Sequence, residues 1–226
     1  MNGELECVEV VIGPNPSAAV IWMHGLGADG YDFVPVVKEL EPATLTPATA
    51  GVRFVFPHAP MRPVTINGGM VMRAWYDIKM VDLVRMEDDA GLRASQAQCE
   101  ALIAREVARG IAPERIIIAG FSQGGAIALQ TVLRHPVRLG GLMVLSSYLP
   151  LAGTVAREAS TASRDVPVFM AHGTRDPMIA LERATASRKQ LEELGYKIEW
   201  HQYPMEHSLS ADEIDHIRHW LSGLLA

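Results

Sequence analysis

Gly120-Phe121-Ser122-Gln123-Gly124 decides how the rest of this sequence is read. An apolar run, residues 115–119, precedes it, and a stretch with helical character, residues 126–134, follows. A serine at the tip of a sharp strand-to-helix turn is held in a strained backbone conformation. A side chain two positions away on either side would collide with the facing element, so both places favour glycine. The hydroxyl is pushed out at a helix N-terminus, where backbone N–H groups and the helix dipole favour nearby negative charge. The pattern therefore suits a nucleophile. The plainer reading is a glycine-rich helix start capped by Ser122, and only the surrounding sequence separates the two.

Outward from this motif, strand-like apolar runs recur with helix-like segments between them. The strands fall at residues 6–12, 18–23, 52–56, 115–119, 140–145, 166–172 and 196–203. Helices are expected near 33–40, 89–109, 126–134, 180–194 and 211–225, the last opened by a Ser210-x-x-Glu213 capping box. Ile116-Ile117-Ile118 is apolar at every position, as in a parallel sheet covered by helices on both faces. Alternation of this kind is an α/β fold with a mostly parallel sheet of about seven strands. No repeat, low-complexity tract or linker divides the chain, so residues 1–226 are expected to form a single domain. Within such a fold, Gly-x-Ser-x-Gly between strand and helix is the nucleophile elbow of α/β-hydrolases.

Composition excludes several other functions. The 226 residues carry a net charge of −6 with no block of Lys or Arg, which gives no basis for binding nucleic acid or an anionic membrane. The longest apolar runs, such as residues 18–23, are far too short to span a bilayer. The N-terminus lacks the basic stretch and apolar core of a secretory signal. Two cysteines, Cys7 and Cys99, do not make a disulfide framework, and a cytoplasmic enzyme fits these features. There is no His-Glu-x-x-His, the histidines are scattered, and neither metal nor cofactor is expected.

A serine hydroxyl needs a base, and histidine suits that task near neutral pH. Of eight histidines, His24, His58, His172 and His207 sit at or just past the carboxyl ends of strands, where open parallel sheets place their sites. The chain order serine, acid, histidine removes His24 and His58, which precede Ser122. His172 ends the strand that should deliver the acid, which leaves His207, between the last strand and last helix. Asp165 precedes its strand and belongs to the opposite edge; Asp176 follows the same strand and reaches the correct one. Asp176 would orient the His207 ring and stabilise its protonated form. The oxyanion of a tetrahedral intermediate needs backbone donors. The N–H of Gln123 is one candidate, and the N–H of Leu26, in His24-Gly25-Leu26-Gly27, is the other.

Residues 57–87 break the strand–helix rhythm. Asn67-Gly68 suits a tight hairpin turn between arms at 63–66 and 70–73, and five of the 11 methionines (Met61, Met70, Met72, Met80, Met86) fall in this segment. Methionine fills irregular apolar surfaces. The segment is read as the wall of an acyl-chain groove with Trp75 and Tyr76 beside it, or else as a packed hairpin covering the sheet edge.

Six motifs in register extend the argument: His-Gly-Leu-Gly-Ala-Asp-Gly (24–30), Phe-Pro-His-Ala-Pro (56–60), Trp-Tyr-Asp (75–77), Gly-Phe-Ser-Gln-Gly-Gly (120–125), His-Gly-Thr-Arg-Asp-Pro (172–177) and Glu-His-Ser (206–208). Together they resemble the small carboxylesterase, lysophospholipase and acyl-protein thioesterase family over nearly the whole chain. The resemblance implies an α/β-hydrolase without a large lid domain, Ser122, Asp176 and His207 as catalytic triad, and Leu26 and Gln123 as oxyanion pair. It also implies an acyl groove near Met70, Trp75 and Met178, and a homodimer formed through the active-site face. Ser147 departs from the family, which more often has Gly there, and its hydroxymethyl group is expected to narrow the site.

The expected activity is hydrolysis of an acyl ester or thioester through an acyl-Ser122 intermediate, by a carboxylesterase, a thioesterase or a lysophospholipase. The substrate would be a small molecule, an acylated protein or a lysophospholipid. The alternative from another class is a binding module on a hydrolase scaffold that holds the acyl group without turnover.

Overall fold

The computed structural model describes residues 4–40, 45, 50–81 and 84–225, with the side chains of 80, 81 and 84–86 left aside. Met80 and Met86 therefore lie outside the described side chains.

Seven strands form the central sheet: β1 (Cys7–Ile12), β2 (Pro16–Met23), β3 (Gly51–Pro57), β8 (Ile116–Phe121), β9 (Gly141–Leu145), β10 (Val168–Gly173) and β11 (Ile198–Tyr203). Their order across the sheet is β1-β3-β2-β8-β9-β10-β11. Only β1 runs antiparallel to its neighbour; every other pair is parallel. Parallel strands send their carboxyl ends to one edge, so the loops after β2, β8, β10 and β11 share that edge.

The sequence explains which strands are central. All residues of β9 and β10 are buried, as are Ile116–Gly120 of β8, whereas β1 has no buried residue and β11 only one, Tyr203. Central strands have helices on both faces and edge strands do not. Successive residues enter opposite cores: Ala19, Ile21 and Met23 join Ile116, Ile118, Leu142, Val144 and Met170 on one face, while Ala18, Val20 and Trp22 join Ile117, Ala119, Met143 and Phe169 on the other.

The first core is closed by α2 (Asp89–Ala108), α3 (Gln123–Arg134), α4 (Ala152–Glu158) and α5 (Leu181–Glu193), through residues such as Cys99, Leu102, Ile127, Val155 and Leu191. The second is closed by α1 (Val34–Glu39) and α6 (Ala211–Leu225), through Val37, Ile214, Ile217 and Leu221. Every residue of α3 from Gln123 to Leu133 is buried, because α2 packs on the side away from the sheet. The short α4 has no counterpart among the helices expected from sequence. Seven residues give little periodicity, and its position depends on Glu158, which accepts from Arg134 at 2.8 Å and from Arg93 at 3.1 Å.

The segment between β3 and α2 holds two small hairpins. β4 (Met61–Val64) pairs with β5 (Met70–Arg73), and β6 (Lys79–Val81) with β7 (Val84–Met86). The first hairpin starts two residues earlier than expected, and its connection is longer than an Asn-Gly turn. Thr65–Asn67 form a 3₁₀ turn, Thr65 is tied to Asp77 through its N–H (2.7 Å) and hydroxyl (2.6 Å), and Gly68 and Gly69 both take positive φ. The expected capping box on α6 closes only halfway. Ser210 Oγ accepts from the Glu213 N–H at 3.2 Å, but the Glu213 carboxyl points into the protein and, among the described residues, has no hydrogen-bond partner.

Candidate active site

Ser122 occupies a strained, positive-φ backbone conformation, φ 54° and ψ −117°, between β8 and α3. Its N–H donates to the Leu145 carbonyl at 2.9 Å and its carbonyl accepts from Ala126 at 3.2 Å. The turn is sharp enough that a Cβ on Gly120 would stand 2.2 Å from the Gly124 carbonyl. One on Gly124 would stand 2.2 Å from the carbonyl oxygen of Met23, at the end of β2. Glycine at both places is thus a packing requirement, and it lets the helix begin at Gln123, three residues earlier than periodicity alone indicates. Ser147 donates its hydroxyl to the Ser122 carbonyl at 2.6 Å and is 1% exposed. The expectation that Ser147 narrows the site is therefore corrected: its hydroxyl faces the backbone of the elbow.

The loop after β2 lies against this turn. A Cβ on Gly25 would stand 3.4 Å from the Cβ of Ser122, and Leu26 and Gln123 line the same cavity as Ser122. Long-range contacts hold the loop. The Trp75 indole N–H donates to the His24 carbonyl at 2.9 Å, Gly27 N–H donates to the Arg73 carbonyl at 2.9 Å, and Ala59 N–H donates to His24 Nε2 at 3.1 Å. His24 Nδ1 then donates to the Gly25 carbonyl at 2.7 Å, which fixes the tautomer. Burial pushes the His24 imidazole down to about 4, so it stays neutral.

Asp176 follows β10 and His207 follows β11. Asp176 Oδ2 accepts from His207 Nδ1 at 2.6 Å, and Oδ1 accepts from the N–H groups of Met178 (2.8 Å) and Ile179 (2.9 Å). Burial raises the Asp176 carboxyl, but these bonds outweigh it and hold the group below the ordinary carboxylate range. His172, also buried, packs its Nε2 3.5 Å from Asp176 Oδ2 and donates to the Ile179 carbonyl at 2.8 Å; burial lowers its pKa. The His207 ring rests on Phe121, centroids 4.7 Å apart, beside Ser122. No hydrogen bond joins Ser122 to His207 among the described residues; such contacts tighten when substrate is bound.

Ser122, Gln123, Leu26 and His207 open onto one cavity of about 210 Å³. Its lining is mixed: the Asp32 carboxyl, whose pKa is raised by burial and by Asp29, lines it together with Tyr76, Ile78, Tyr148 and Ile179, all four of which are buried. Met178 lines the cavity and is exposed. Met70 and Trp75 do not line it. Met70 is exposed on the β4–β5 hairpin, and Trp75 is wholly buried, its indole on the His24 carbonyl and its own N–H on the Gln123 side chain at 3.0 Å. The Trp75 ring braces the loop from below. Ile78 falls within the 57–87 segment expected to wall the groove and Ile179 in the loop of Met178, whereas nothing in the sequence singles out Tyr148 as a lining residue or the Gln123 side chain, which also donates to the Tyr76 carbonyl at 2.8 Å.

Among the described residues, no group of three or more His, Cys, Asp or Glu could hold a metal ion, and no helix is long and apolar enough to cross a membrane.

Residues 5–225 match the family model described as Phospholipase/Carboxylesterase. The chain belongs to this family. Relatives within reach of the phospholipase/carboxylesterase match include acyl-protein thioesterase 1 of Gibberella zeae, 39% identical over 213 residues, covering 91% of this chain and 89% of that protein. Carboxylesterase SOBER1 of Arabidopsis thaliana is 34% identical, covering 91% and 90%. The crystal structure of SOBER1 superposes with a TM-score of 0.84 at 32% identity, over 92% of this chain and 99% of that one. The fold is that of the α/β-hydrolases, and no large lid is evident among the described residues.

Proposed function

We propose that this chain is a serine hydrolase that cleaves carboxylic esters or thioesters through an acyl-Ser122 intermediate. Ser122 Oγ attacks the substrate carbonyl carbon as its proton passes to His207 Nε2. The carbonyl oxygen, now negative, lies between the N–H groups of Leu26 and Gln123. The tetrahedral intermediate collapses, the bond to the leaving oxygen or sulfur breaks, and His207 returns the proton to the departing alcohol or thiol. Water repeats the cycle on the acyl-enzyme and frees the carboxylic acid and Ser122. Asp176 fixes the His207 tautomer and stabilises the imidazolium.

The observation that carries this reading is the 2.6 Å Asp176–His207 bond beside Ser122 on the rim of one cavity. The family supports it: curated relatives are named as thioesterases and as carboxylesterases. Residues 1–226 would act as a single domain in a cytoplasmic setting that suits two free cysteines. The buried apolar lining of the cavity favours an acyl chain, carried by a small molecule, an acylated protein or a lysophospholipid. Exposed Met61, Met70, Val71 and Met178 offer apolar surface for association into a homodimer, which sedimentation measures. A holding module without turnover is not favoured, because such a module needs no oriented base.

With a short-chain aryl ester, wild type is expected to give a burst of released alcohol followed by steady turnover. Ser122→Ala is expected to lower kcat by roughly 10⁴–10⁶ while unfolding at the wild-type temperature. Wild-type turnover in that variant would overturn the assignment, and a burst with no steady phase would favour the holding module.

A further inference from the structure

A hydrogen-bonded pair of buried tyrosines lines the cavity. Tyr76 comes from the segment between β3 and α2, Tyr148 from the turn after β9, and their hydroxyl oxygens are 2.8 Å apart. Both residues are almost wholly buried. Behind them lies a separate void of about 10 Å³, bounded also by Glu87, Leu92 and Arg183. Tyr76, Ile78 and Tyr148 line both spaces and so form the partition between them.

The partition is held on both sides. The Arg183 guanidinium carbon lies 3.4 Å from the centroid of the Tyr148 ring, within cation–π range. Leu149 N–H donates to Ser187 Oγ at 2.9 Å, which fixes the backbone next to Tyr148. Gln123 holds the carbonyl of Tyr76 at 2.8 Å. Moving either ring would separate two buried hydroxyls that satisfy each other, which is unfavourable in an apolar site. Ile78 and Ile179, both buried, line the same cavity as the two phenol rings, so an alkyl chain gains by burial against them.

We infer that the Tyr76–Tyr148 pair is the specificity-determining end wall of the cavity. It limits the substrates to esters and thioesters whose acyl chains end against the two phenol rings, and it excludes chains that would need the space behind them. The inference rests on the ester-hydrolase reading above.

The test compares kcat/KM for aryl esters from acetate to dodecanoate in wild type, Tyr148→Ala and Tyr148→Phe. The readout is the ratio of the decanoate to the acetate value, so a general loss of activity cancels. In Tyr148→Ala the ratio is expected to rise about tenfold, the gain from burying roughly two more methylenes. Tyr148→Phe keeps the bulk, loses the hydroxyl pair, and is expected to give a smaller rise. An unchanged ratio in Tyr148→Ala overturns the inference. If that variant does not fold, Tyr148→Leu replaces it with the same expectation, and a flat ratio there overturns the inference equally. A wild-type chain that hydrolyses none of the esters overturns the function on which the wall rests, which is a different failure.

Discussion

Asp176 divides its two carboxylate oxygens between different partners. Oδ1 accepts two backbone N–H groups of its own turn, and Oδ2 faces His207 Nδ1 at 2.6 Å. The backbone bonds hold the carboxylate in place, and its lowered pKa keeps it charged. Asp176→Asn keeps the turn through its amide oxygen but presents an N–H to Nδ1, which favours the wrong tautomer. A drop in kcat of about 10⁴ is expected with the fold retained, the scale associated with neutralising an orienting carboxylate. Stopped-flow kinetics measure it, and a loss below tenfold would contradict the orienting role. The placement of Asp176 and His207 at one sheet edge was legible in the sequence because strand polarity and chain order are local facts. Trp75 was misread for the opposite reason. Its aromatic ring suits a groove wall or a brace equally, and only the His24 carbonyl at its indole separates the two.

Between strand and helix, the elbow works as one unit of β8, α3 and the end of β2. Gly124 is where they meet, because a Cβ there would lie 2.2 Å from the Met23 carbonyl oxygen and backbone would have to shift. Gly124→Ala is expected to cost about 1–3 kcal/mol of stability, the range for overpacking, and to lower kcat as well, since the shift moves the loop bearing Leu26. Urea unfolding and ester kinetics on the same preparation check both; full activity with reduced stability would uncouple loop from elbow. The hairpin segment shows the limit of element-level reading. Its glycines and methionines marked it as irregular, but its attachment to the site runs through the Gln123 side chain, which bridges Trp75 N–H and the Tyr76 carbonyl. Nothing in local periodicity indicates a side chain that pairs with backbone 47 residues away.

Across the whole molecule, two buried ionisable groups tilt stability with pH in opposite directions. Burial pushes the Glu213 carboxyl up to about 8, so the folded chain holds this proton more tightly than the unfolded chain, where the value is near 4.5. Its contribution is fully present below about 4.5 and is lost as pH rises through about 8. His24, lowered to about 4 from 6.5, acts the other way: its contribution is present above 6.5 and is lost as pH falls toward 4. Glu213→Gln removes the first effect. Relative to wild type, the variant is expected to gain on the order of a few kcal/mol between pH 5 and pH 9, read from urea midpoints; a constant difference across that range would contradict it. These groups also mark the boundary between sequence and structure. By itself the sequence determined the α/β architecture, the glycine-framed turn at Ser122, and the delivery of Asp176 and His207 to one sheet edge. Those follow from side-chain periodicity, glycine sterics and strand direction, all of which act over a few residues. Only the tertiary structure decided that Ser147 bonds the elbow carbonyl, that the Glu213 carboxyl turns inward, and that Tyr76 meets Tyr148 across 72 residues on the lining of the cavity. Those depend on distances between segments remote in the chain, which are fixed by packing and leave no local trace.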